Sequence, residues 1–219
     1  MGDFPWRLVT FDIDGTLTRG HGWHFIAERT GRLAQFEAAD ARYRAGEVGE
    51  DAHLRALLNI GVGHTIAEVE AILEQSPKIA HIVATVDALH VRGARVALLS
   101  HNPEFVCQWY RRRFGFDDEE GTRGTRTRAG RILPYGRLHV SKILGMERLR
   151  RRAGVPPRQA VHIGDGRADA RVFPYVGGGI ALNSGVPAVR AAADVALTTA
   201  DLRDVLPCLE RIRPHRSPR

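Results

Sequence analysis

Two aspartates, Asp12 and Asp14, follow directly on a short apolar run, Leu8–Phe11. The run has the length and composition of a buried strand, and residues two apart lie on the same side of an extended chain. Gly15 and Thr16 then break the strand, so both carboxylates belong to its carboxyl end. Paired carboxylates in a buried place are unfavourable unless a cation lies against them. A metal ion together with a phosphate substrate would fit that requirement.

Further apolar runs that are typical of strands occur at Ala94–Leu99, Ala160–Ile163, Gly178–Leu182 and Val195–Leu197. Segments with helical periodicity lie between most of them, at Ala80–Val91, Pro103–Phe114, Ser141–Ala153, Ala168–Val176, Pro187–Ala193 and Leu202–Ile212. This alternation predicts an α/β fold with a doubly wound, Rossmann-like parallel sheet. Ligands of such sheets bind beyond the carboxyl ends of the strands. The residues predicted to lie there are Asp12, Asp14, Ser100 and Asp165.

The segment between residues 18 and 83 contains no convincing strand. Short helices are predicted there instead, at Trp23–Arg29, Leu33–Ala45, Glu50–Ile60 and Ile66–Leu73. We therefore expect residues 18–83 to form a small α-helical cap, inserted after the first strand and placed where it could act as a lid. Residues 1–17 and 84–212 would form the catalytic core. A smaller irregular segment, residues 121–137, could contain a hairpin around Arg131.

Length and composition set wider bounds on the chain. Its 219 residues are 43% hydrophobic, which is enough for one globular domain with an inserted module. No apolar run approaches the length of a membrane span, and no charged-then-apolar leader precedes the first strand. The two cysteines, Cys107 and Cys208, form no metal or disulfide pattern. We expect a cytoplasmic protein whose last residues, 213–219, form a disordered basic tail.

The charge of the chain is strongly basic, with a net value of +7. Arginine supplies nearly all of it, since lysine occurs only at positions 78 and 142. The arginines cluster at 111–113, at 148–152 and in the tail. Such clusters are typical of solvated helix faces, or of a surface that attracts nucleic acid or an acidic partner. No aromatic residues are interleaved with them as a base-stacking platform, so nucleic acid is not the expected partner.

Four pieces of one site occur in order along the chain. They are Asp12–Thr16, then Ser100 after the second strand, then Lys142 at the start of a helix, then Gly164–Asp169 after the third strand. This set resembles the haloacid dehalogenase superfamily of hydrolases. It is most similar to their phosphoserine phosphatase-like branch, which inserts a helical cap of the C1 type after the first motif. The resemblance covers the whole chain except the tail.

The residue types in these motifs suit phosphomonoester hydrolysis. A carboxylate can attack phosphorus and give an aspartyl phosphate that water then hydrolyses, and Asp12 is the candidate nucleophile. Asp14 would protonate the leaving oxygen and then deprotonate the water. An acid at this position favours phosphoryl transfer over dehalogenation, because a halide leaving group needs no proton. Ser100, His101 and Lys142 would bind the phosphate.

A magnesium ion is the expected cofactor, because it prefers carboxylates and phosphate oxygens as ligands. Asp12 and Asp165 are its candidate side-chain ligands. By resemblance, the backbone carbonyl of Asp14 would be a third ligand. Asp169 would anchor Lys142 or a metal-bound water.

Some of these residues have plainer alternatives. Ser100 could be the N-cap of the next helix, and Lys142 could be a surface lysine. The candidate substrate contacts in the cap are His21, Trp23, His24 and Arg44. Of these, Trp23 and His24 could instead serve helix packing.

The cap departs from that of phosphoserine phosphatases. Those enzymes bind the substrate's amino group with a glutamate and its carboxylate with an arginine, and these positions fall on His21 and near Leu57 here. His101 and Asn102 replace the usual Gly-Gly after the serine. We therefore expect a small phosphorylated metabolite other than phosphoserine. The alternatives are a phosphotransferase or mutase on the same core, and a non-catalytic protein that binds nucleic acid or an acidic partner.

Overall fold

The computed structural model of the protein describes residues 4–138 and 140–214. Its strands are β1 (Leu8–Phe11), β2 (Arg95–Pro103), β3 (Asp118–Thr122), β4 (Thr127–Arg128), β5 (Arg131–Ile132), β6 (Ala160–Gly164), β7 (Gly178–Leu182) and β8 (Val195–Leu197). Its α-helices are α1 (Gly22–Arg29), α2 (Leu33–Arg44), α3 (Glu50–Leu58), α4 (Ile66–Gln75), α5 (Ile82–Val91), α6 (Glu104–Phe114), α7 (Lys142–Ala153), α8 (Arg167–Ala170), α9 (Pro187–Ala192) and α10 (Val205–Arg211).

Six strands form one parallel sheet in the order β3-β2-β1-β6-β7-β8. Side chains alternate across it, as the period of two along a strand requires. On β2, Val96 and Leu98 join a core cluster with residues of α5, α6 and α10, whereas Ala97 and Leu99 join a second cluster with α7. Both faces of the sheet are therefore covered by helices, and the predicted doubly wound parallel sheet is confirmed.

The edge of the sheet differs from the prediction. Strand β3 was not expected, because Asp118–Thr122 contains three acids and no apolar run. It pairs in parallel with β2, and its buried Glu120 forms ion pairs with Arg148 and Arg152 of α7. Tertiary contacts thus replace the hydrophobic pattern that usually marks a strand.

Two smaller features can be compared with the sequence. The predicted hairpin is present, since β4 and β5 pair antiparallel. The helix predicted at Ala168–Val176 is wrong in extent, because α8 ends at Ala170 and a separate 3-10 turn covers Phe173–Tyr175. Pro174 lies in that turn and has no backbone N–H to continue an α-helix.

Helices α1 to α4 form one helical segment between β1 and α5. Its two ends lie side by side, because the N–H of Arg19 donates to the carbonyl of Pro77 at 2.9 Å and the N–H of Ile79 donates to the carbonyl of Leu17 at 3.0 Å. The chain therefore enters and leaves this segment through two adjacent stretches of backbone. The division into a cap at residues 18–83 and a core stays a prediction.

The arginine clusters are largely paired with acids. Arg111, Arg112 and Arg113 of α6 contact Glu119, Glu70 and Glu74 at 3.2, 2.9 and 3.0 Å. The cluster on α7 is also paired, since Arg150 and Arg151 both contact Glu147, in addition to the pairs of Arg148 and Arg152. Most of the tail, residues 215–219, lies outside the described residues. Within the described chain, no helix has the length and apolar character that crossing a membrane requires.

Candidate active site

The carboxyl ends of β1, β2 and β6 meet at one cleft of about 440 Å³. The structure brings together there the residues predicted from all four motifs, namely Asp12, Asp14, Ser100, His101, Lys142, Asp165 and Asp169. Lys142 is the first residue of α7, so the start of that helix aims its amine into the cleft. The remaining wall comes from α1, α2 and α3, which lie above the sheet edge.

A buried ion-pair network lies at the floor of the cleft. The Lys142 amine is 2.8 Å from Asp12 Oδ1 and 2.6 Å from Asp169 Oδ1, and only 5% of Lys142 is exposed. Burial lowers the pKa of Lys142, but Asp12 and Asp169 raise it by more, so the group stays an ammonium. The predicted contact between Asp169 and Lys142 is present, and Lys142 is not a surface lysine.

Two further buried residues support Asp169 from below. His162 Nε2 lies 2.8 Å from Asp169 Oδ1, and His162 Nδ1 lies 2.9 Å from the Thr10 hydroxyl. Burial tends to raise the pKa of Asp169, but Lys142 and His162 lower it well below its usual range. An ionised carboxylate only accepts hydrogen bonds, so Nε2 carries the proton that faces Asp169. Neither residue was predicted, although a histidine inside the apolar run of β6 was a signal.

At Asp12 and Asp165, nearby positive charge does not fully offset the effect of burial on the pKa. Burial is the main cause that raises the pKa of Asp12 to about 7, despite the opposing charge of Lys142. Burial and the nearby Asp12 and Asp169 raise the pKa of Asp165 to about 8. Both carboxylates are thus held in a place that favours an additional cation.

Oxygens of Asp12, Asp165 and Asp169 lie within 4.8 Å of one another, close enough to share a metal ion. Asp169 already accepts from Lys142, His162 and the N–H of Gly166. Asp12 and Asp165 are the members left for a cation, and a set of carboxylate oxygens suits Mg²⁺. The residues present therefore fit the predicted metal.

Two glycines make room for these carboxylates. Gly15 has a φ of +73°, and a Cβ there would overlap the Asp165 carboxylate. A Cβ at Gly164 would overlap the Asp169 carboxylate. The missing side chain at Gly15 therefore lets the loop after β1 approach the loop after β6, and that at Gly164 lets Asp169 fold back against the end of its own strand.

Asp14 faces another direction from Asp12. Its Oδ1 accepts a hydrogen bond of 2.7 Å from the N–H of Gly22, and its Oδ2 accepts one of 3.0 Å from the Asn102 amide. His21 Nδ1 also lies 3.5 Å from Oδ2. The side chain is thus turned towards the helical segment, where a leaving group would lie, and its position suits proton transfer rather than metal ligation.

Asn102 is the main residue of this region that sequence reasoning missed. The indole N–H of Trp23 donates to Asn102 Oδ1 at 2.8 Å. Because an indole N–H can only donate, the Asn102 amide N–H₂ must face Asp14 and the Ser100 hydroxyl, which is 3.1 Å away. The replacement of the usual Gly-Gly by His101 and Asn102 was the available signal.

Ser100 is not a helix cap. It lies inside β2, and α6 begins four residues later at Glu104. Its hydroxyl accepts from the N–H and the side chain of Asn102 and lines the cleft. The plainer alternative for this serine is therefore wrong.

The four residues predicted for substrate contact in the cap divide into two pairs. His21 and Trp23 line the cleft, although the N–H of Trp23 is used by Asn102. His24 and Arg44 are not brought into the cleft, because His24 packs on the ring of Phe36 and Arg44 contacts Asp40 at 2.9 Å. Six other side chains of the segment line it instead, namely the polar Asp40, Tyr43, Glu50 and His53 and the apolar Leu54 and Leu57.

Comparison with known proteins supports the arrangement. A sequence model of the haloacid dehalogenase-like hydrolases matches residues 6–177. The chain is 27% identical over 205 residues to the phosphoserine phosphatase SerB2 of Mycobacterium tuberculosis, covering 91% of this chain and 49% of that protein. It is 26% identical over 212 residues to a phosphoserine phosphatase of Idiomarina loihiensis, covering 93% and 94% of the two chains. The chain spans about half the length of the first curated relatives that it matches.

Solved structures show the same fold. A structure described as a phospho-aspartyl intermediate analogue of phosphoserine phosphatase superposes with a TM-score of 0.79 at 22% identity. The superposition covers 93% of this chain and 98% of that chain. The resemblance to the phosphoserine phosphatase-like branch is confirmed.

Proposed function

Because the chain belongs to the haloacid dehalogenase-like hydrolases, we propose that it hydrolyses small phosphomonoesters with magnesium, through an aspartyl phosphate on Asp12. The observation that supports this most is that Asp12 and Asp165 bring carboxylate oxygens close enough to share one cation, where burial raises the pKa of both groups. Lys142 stands beside them as a fixed positive charge. Together they form an environment that stabilises a dianionic phosphoryl group.

The mechanism follows from the directions of the side chains. Bound magnesium would be held by Asp12 and Asp165 and would neutralise charge on the phosphoryl oxygens. Asp12 attacks phosphorus, the ester P–O bond breaks, and Asp14 gives its proton to the leaving oxygen. Asp14 then takes a proton from the water that cleaves the aspartyl phosphate. Ser100 and Lys142 bind the phosphoryl oxygens throughout.

The substrate would be a phosphomonoester other than phosphoserine, bound under the helical segment acting as a cap. None of the described arginines of that segment lines the cleft. Arg32, for example, donates to the carbonyls of Ile60 and Val62 instead. A carboxylate on the substrate would therefore meet Asp40 and Glu50 of the segment rather than a cation.

The test is turnover of an aryl phosphate with and without magnesium. The wild type should hydrolyse it with magnesium and stop when EDTA removes the metal. Asp12→Asn should lose at least roughly a thousandfold in kcat, because an amide cannot replace the nucleophile. Asp87→Asn, at an exposed position of α5 away from the cleft, is the matched control. Substantial turnover by Asp12→Asn, or full activity in EDTA, would refute the proposal.

A further inference from the structure

Two series of side chains, each an arginine, a carboxylate and a histidine, contribute their carboxylate and imidazole to the lining of the cleft. In the first, Arg44 contacts Asp40 Oδ2 at 2.9 Å, and Asp40 Oδ1 lies 3.6 Å from His53 Nε2. The arginine is exposed at the rim, the carboxylate is intermediate, and the imidazole is the innermost of the three. One carboxylate oxygen is thus neutralised from outside while the other faces the cleft.

The second series repeats this order. Arg171 contacts Glu50 Oε2, and Glu50 Oε1 lies 3.9 Å from His101 Nδ1. It joins α3 to the core, since Arg171 follows α8 and His101 follows Ser100 on β2. Again the arginine is the exposed member and the imidazole the most buried one. Two carboxylate and imidazole pairs therefore border the same space.

The imidazoles have unused polar atoms. The Nε2 atoms of His53 and His101 are both buried, and neither has a hydrogen-bond partner among the described residues. Burial lowers the pKa of His53, and it lowers the pKa of His101 to about 4, so both rings are neutral near neutral pH. A buried polar atom without a partner is unfavourable and is uncommon in folded proteins. Both side chains line the cleft, and His53 Nε2 faces Asp40 Oδ1 across 3.6 Å, so a ligand group that enters between imidazole and carboxylate would supply the absent hydrogen bonds.

The ligand group that suits these pairs is a hydroxyl. A hydroxyl has one proton and two lone pairs, so it can donate to the carboxylate while it accepts from an imidazole N–H. A substrate carboxylate would be repelled by Asp40 and Glu50 and would bring no donor. Tyr43 stacks on His53 at 4.3 Å with an angle of 4°, which holds that imidazole in position.

We propose that Asp40, Glu50, His53 and His101 form a hydroxyl-binding subsite, and that the substrate is the monophosphate of a small polyol or sugar. The inference rests on the proposed phosphatase function, because it assigns the leaving alcohol of that reaction. Among the described arginines and lysines, Arg167 is the one that lines the cleft besides Lys142, and it is exposed. A carboxylated substrate would have to bind to Arg167. The competing hypothesis is therefore a substrate carboxylate paired with Arg167.

Binding can be measured without turnover by using phosphonates, in which a methylene replaces the ester oxygen. Titration calorimetry of the wild type with magnesium would compare the phosphonate analogues of glycerol phosphate, a hexose phosphate and phosphoserine. We expect one of the two hydroxylated analogues to bind at least about tenfold more tightly than the phosphoserine analogue. Which of them binds more tightly distinguishes a short polyol from a sugar.

The variant His53→Phe keeps the ring that stacks on Tyr43 and removes the nitrogens. It should weaken the preferred hydroxylated analogue roughly tenfold and reduce its preference over the phosphoserine analogue. His64→Phe is the matched control, since His64 also lies 3.6 Å from a carboxylate in the helical segment but outside the cleft. If His53→Phe does not fold, Asp40→Asn tests the same series.

Three results would overturn the subsite. The first is tighter binding of the phosphoserine analogue than of either hydroxylated analogue. The second is a loss of that tight binding in Arg167→Ala. The third is an unchanged preference for the hydroxylated analogue in both His53→Phe and Asp40→Asn. The outcome is separable from that of the proposed function. If no phosphate ester is hydrolysed but the hydroxylated phosphonates bind as expected, the phosphatase proposal fails and the subsite stands.

Discussion

Charged side chains are paired differently on the floor of the cleft (Lys142, Asp169 and His162) and on its wall (Asp40, Glu50, His53 and His101). On the floor, Asp169 contacts Lys142 at 2.6 Å and His162 at 2.8 Å, and each of the three is at least nine-tenths buried. On the wall, the carboxylates of Asp40 and Glu50 pair with exposed arginines and stand 3.6 to 3.9 Å from their imidazoles. The contacts of Asp169 are made without a substrate, whereas His53 and His101 of the wall each keep a buried nitrogen with no hydrogen-bond partner among the described residues.

The difference teaches where the rigidity of the site originates. The floor residues come from strand ends and a helix start that are fixed by the sheet, so their geometry is set before any ligand binds. Of the wall residues, Asp40, Glu50 and His53 come from α2 and α3, whereas His101 comes from β2. Under the proposed function, the sheet would carry the chemistry and the helical part of the wall would set the selectivity.

The strongest way to break this comparison is to remove the central cation. Lys142→Met would leave Asp12 and Asp169 buried without their positive partner, and we expect a loss of about 3–5 kcal/mol in the free energy of unfolding. Urea denaturation of the metal-free protein measures it. Lys78→Met, at the only other lysine, should cost much less, because the Lys78 amine is only partly buried and contacts mainly carbonyls. Equal losses in the two variants would contradict a special role for the floor.

A change of pH tests the wall. The pKa of His101 falls from 6.5 in the unfolded chain to about 4 in the folded protein, so the folded state binds fewer protons between these values. Its contribution to stability is therefore present above pH 6.5 and is lost as the pH falls towards 4. We expect about 2 kcal/mol of stability to be lost between about pH 7 and pH 5 from this group.

The measurement compares urea denaturation at the two pH values. Asp12 and Asp165, with raised pKa values, change the stability of wild type and variant alike, so the prediction is the difference between the two. From pH 7 to pH 5, His101→Gln should gain about 2 kcal/mol of unfolding free energy relative to the wild type, since it has no imidazole at this position to protonate. His24→Gln, at an exposed histidine outside the cleft, is the control and should follow the wild type. The same pH dependence in His101→Gln and wild type would show that this imidazole is not held neutral.

Trp23→Phe tests the contact between the helical segment and the sheet. The substitution removes the indole N–H that orients Asn102. A misoriented amide would no longer hold Asp14, so protonation of a poor leaving group should suffer most. We expect kcat for an alkyl phosphate to fall roughly tenfold more than kcat for a nitrophenyl phosphate, whose leaving group needs less assistance. Trp109→Phe, at an indole on α6 outside the cleft, is the control. Parallel losses on both substrates would indicate a packing effect alone.

The smallest effect is expected at the rim. Arg44→Ala removes an exposed partner of Asp40, and such pairs contribute about 0–1 kcal/mol. Thermal unfolding should therefore barely change, in contrast to the loss at Lys142. A large destabilisation would show that the wall is as tightly coupled as the floor.

The parallel sheet, the four motifs and their meeting point could be predicted because three motifs follow short apolar runs and the fourth, Lys142, begins a helix. The contacts between Thr10 and His162 and those of Asn102 with Trp23 and Asp14 could not, since they join residues more than sixty positions apart in the chain. Strand β3 escaped prediction because arginines of α7, not apolar neighbours, stabilise its buried acid. His24 and Arg44 were expected at the substrate because they belong to the right helices, but helix rotation places them elsewhere.

The side-by-side ends of the helical segment bear on how such a chain could diversify. Arg19 and Pro77 are joined by a backbone hydrogen bond. If the residues between them were removed, a tight turn could therefore connect the two positions. The sheet and its ion pairs would keep their connectivity through such an exchange. The segment is thus built as an interchangeable module, and a different set of helices grafted at this junction could give the same reaction a new substrate.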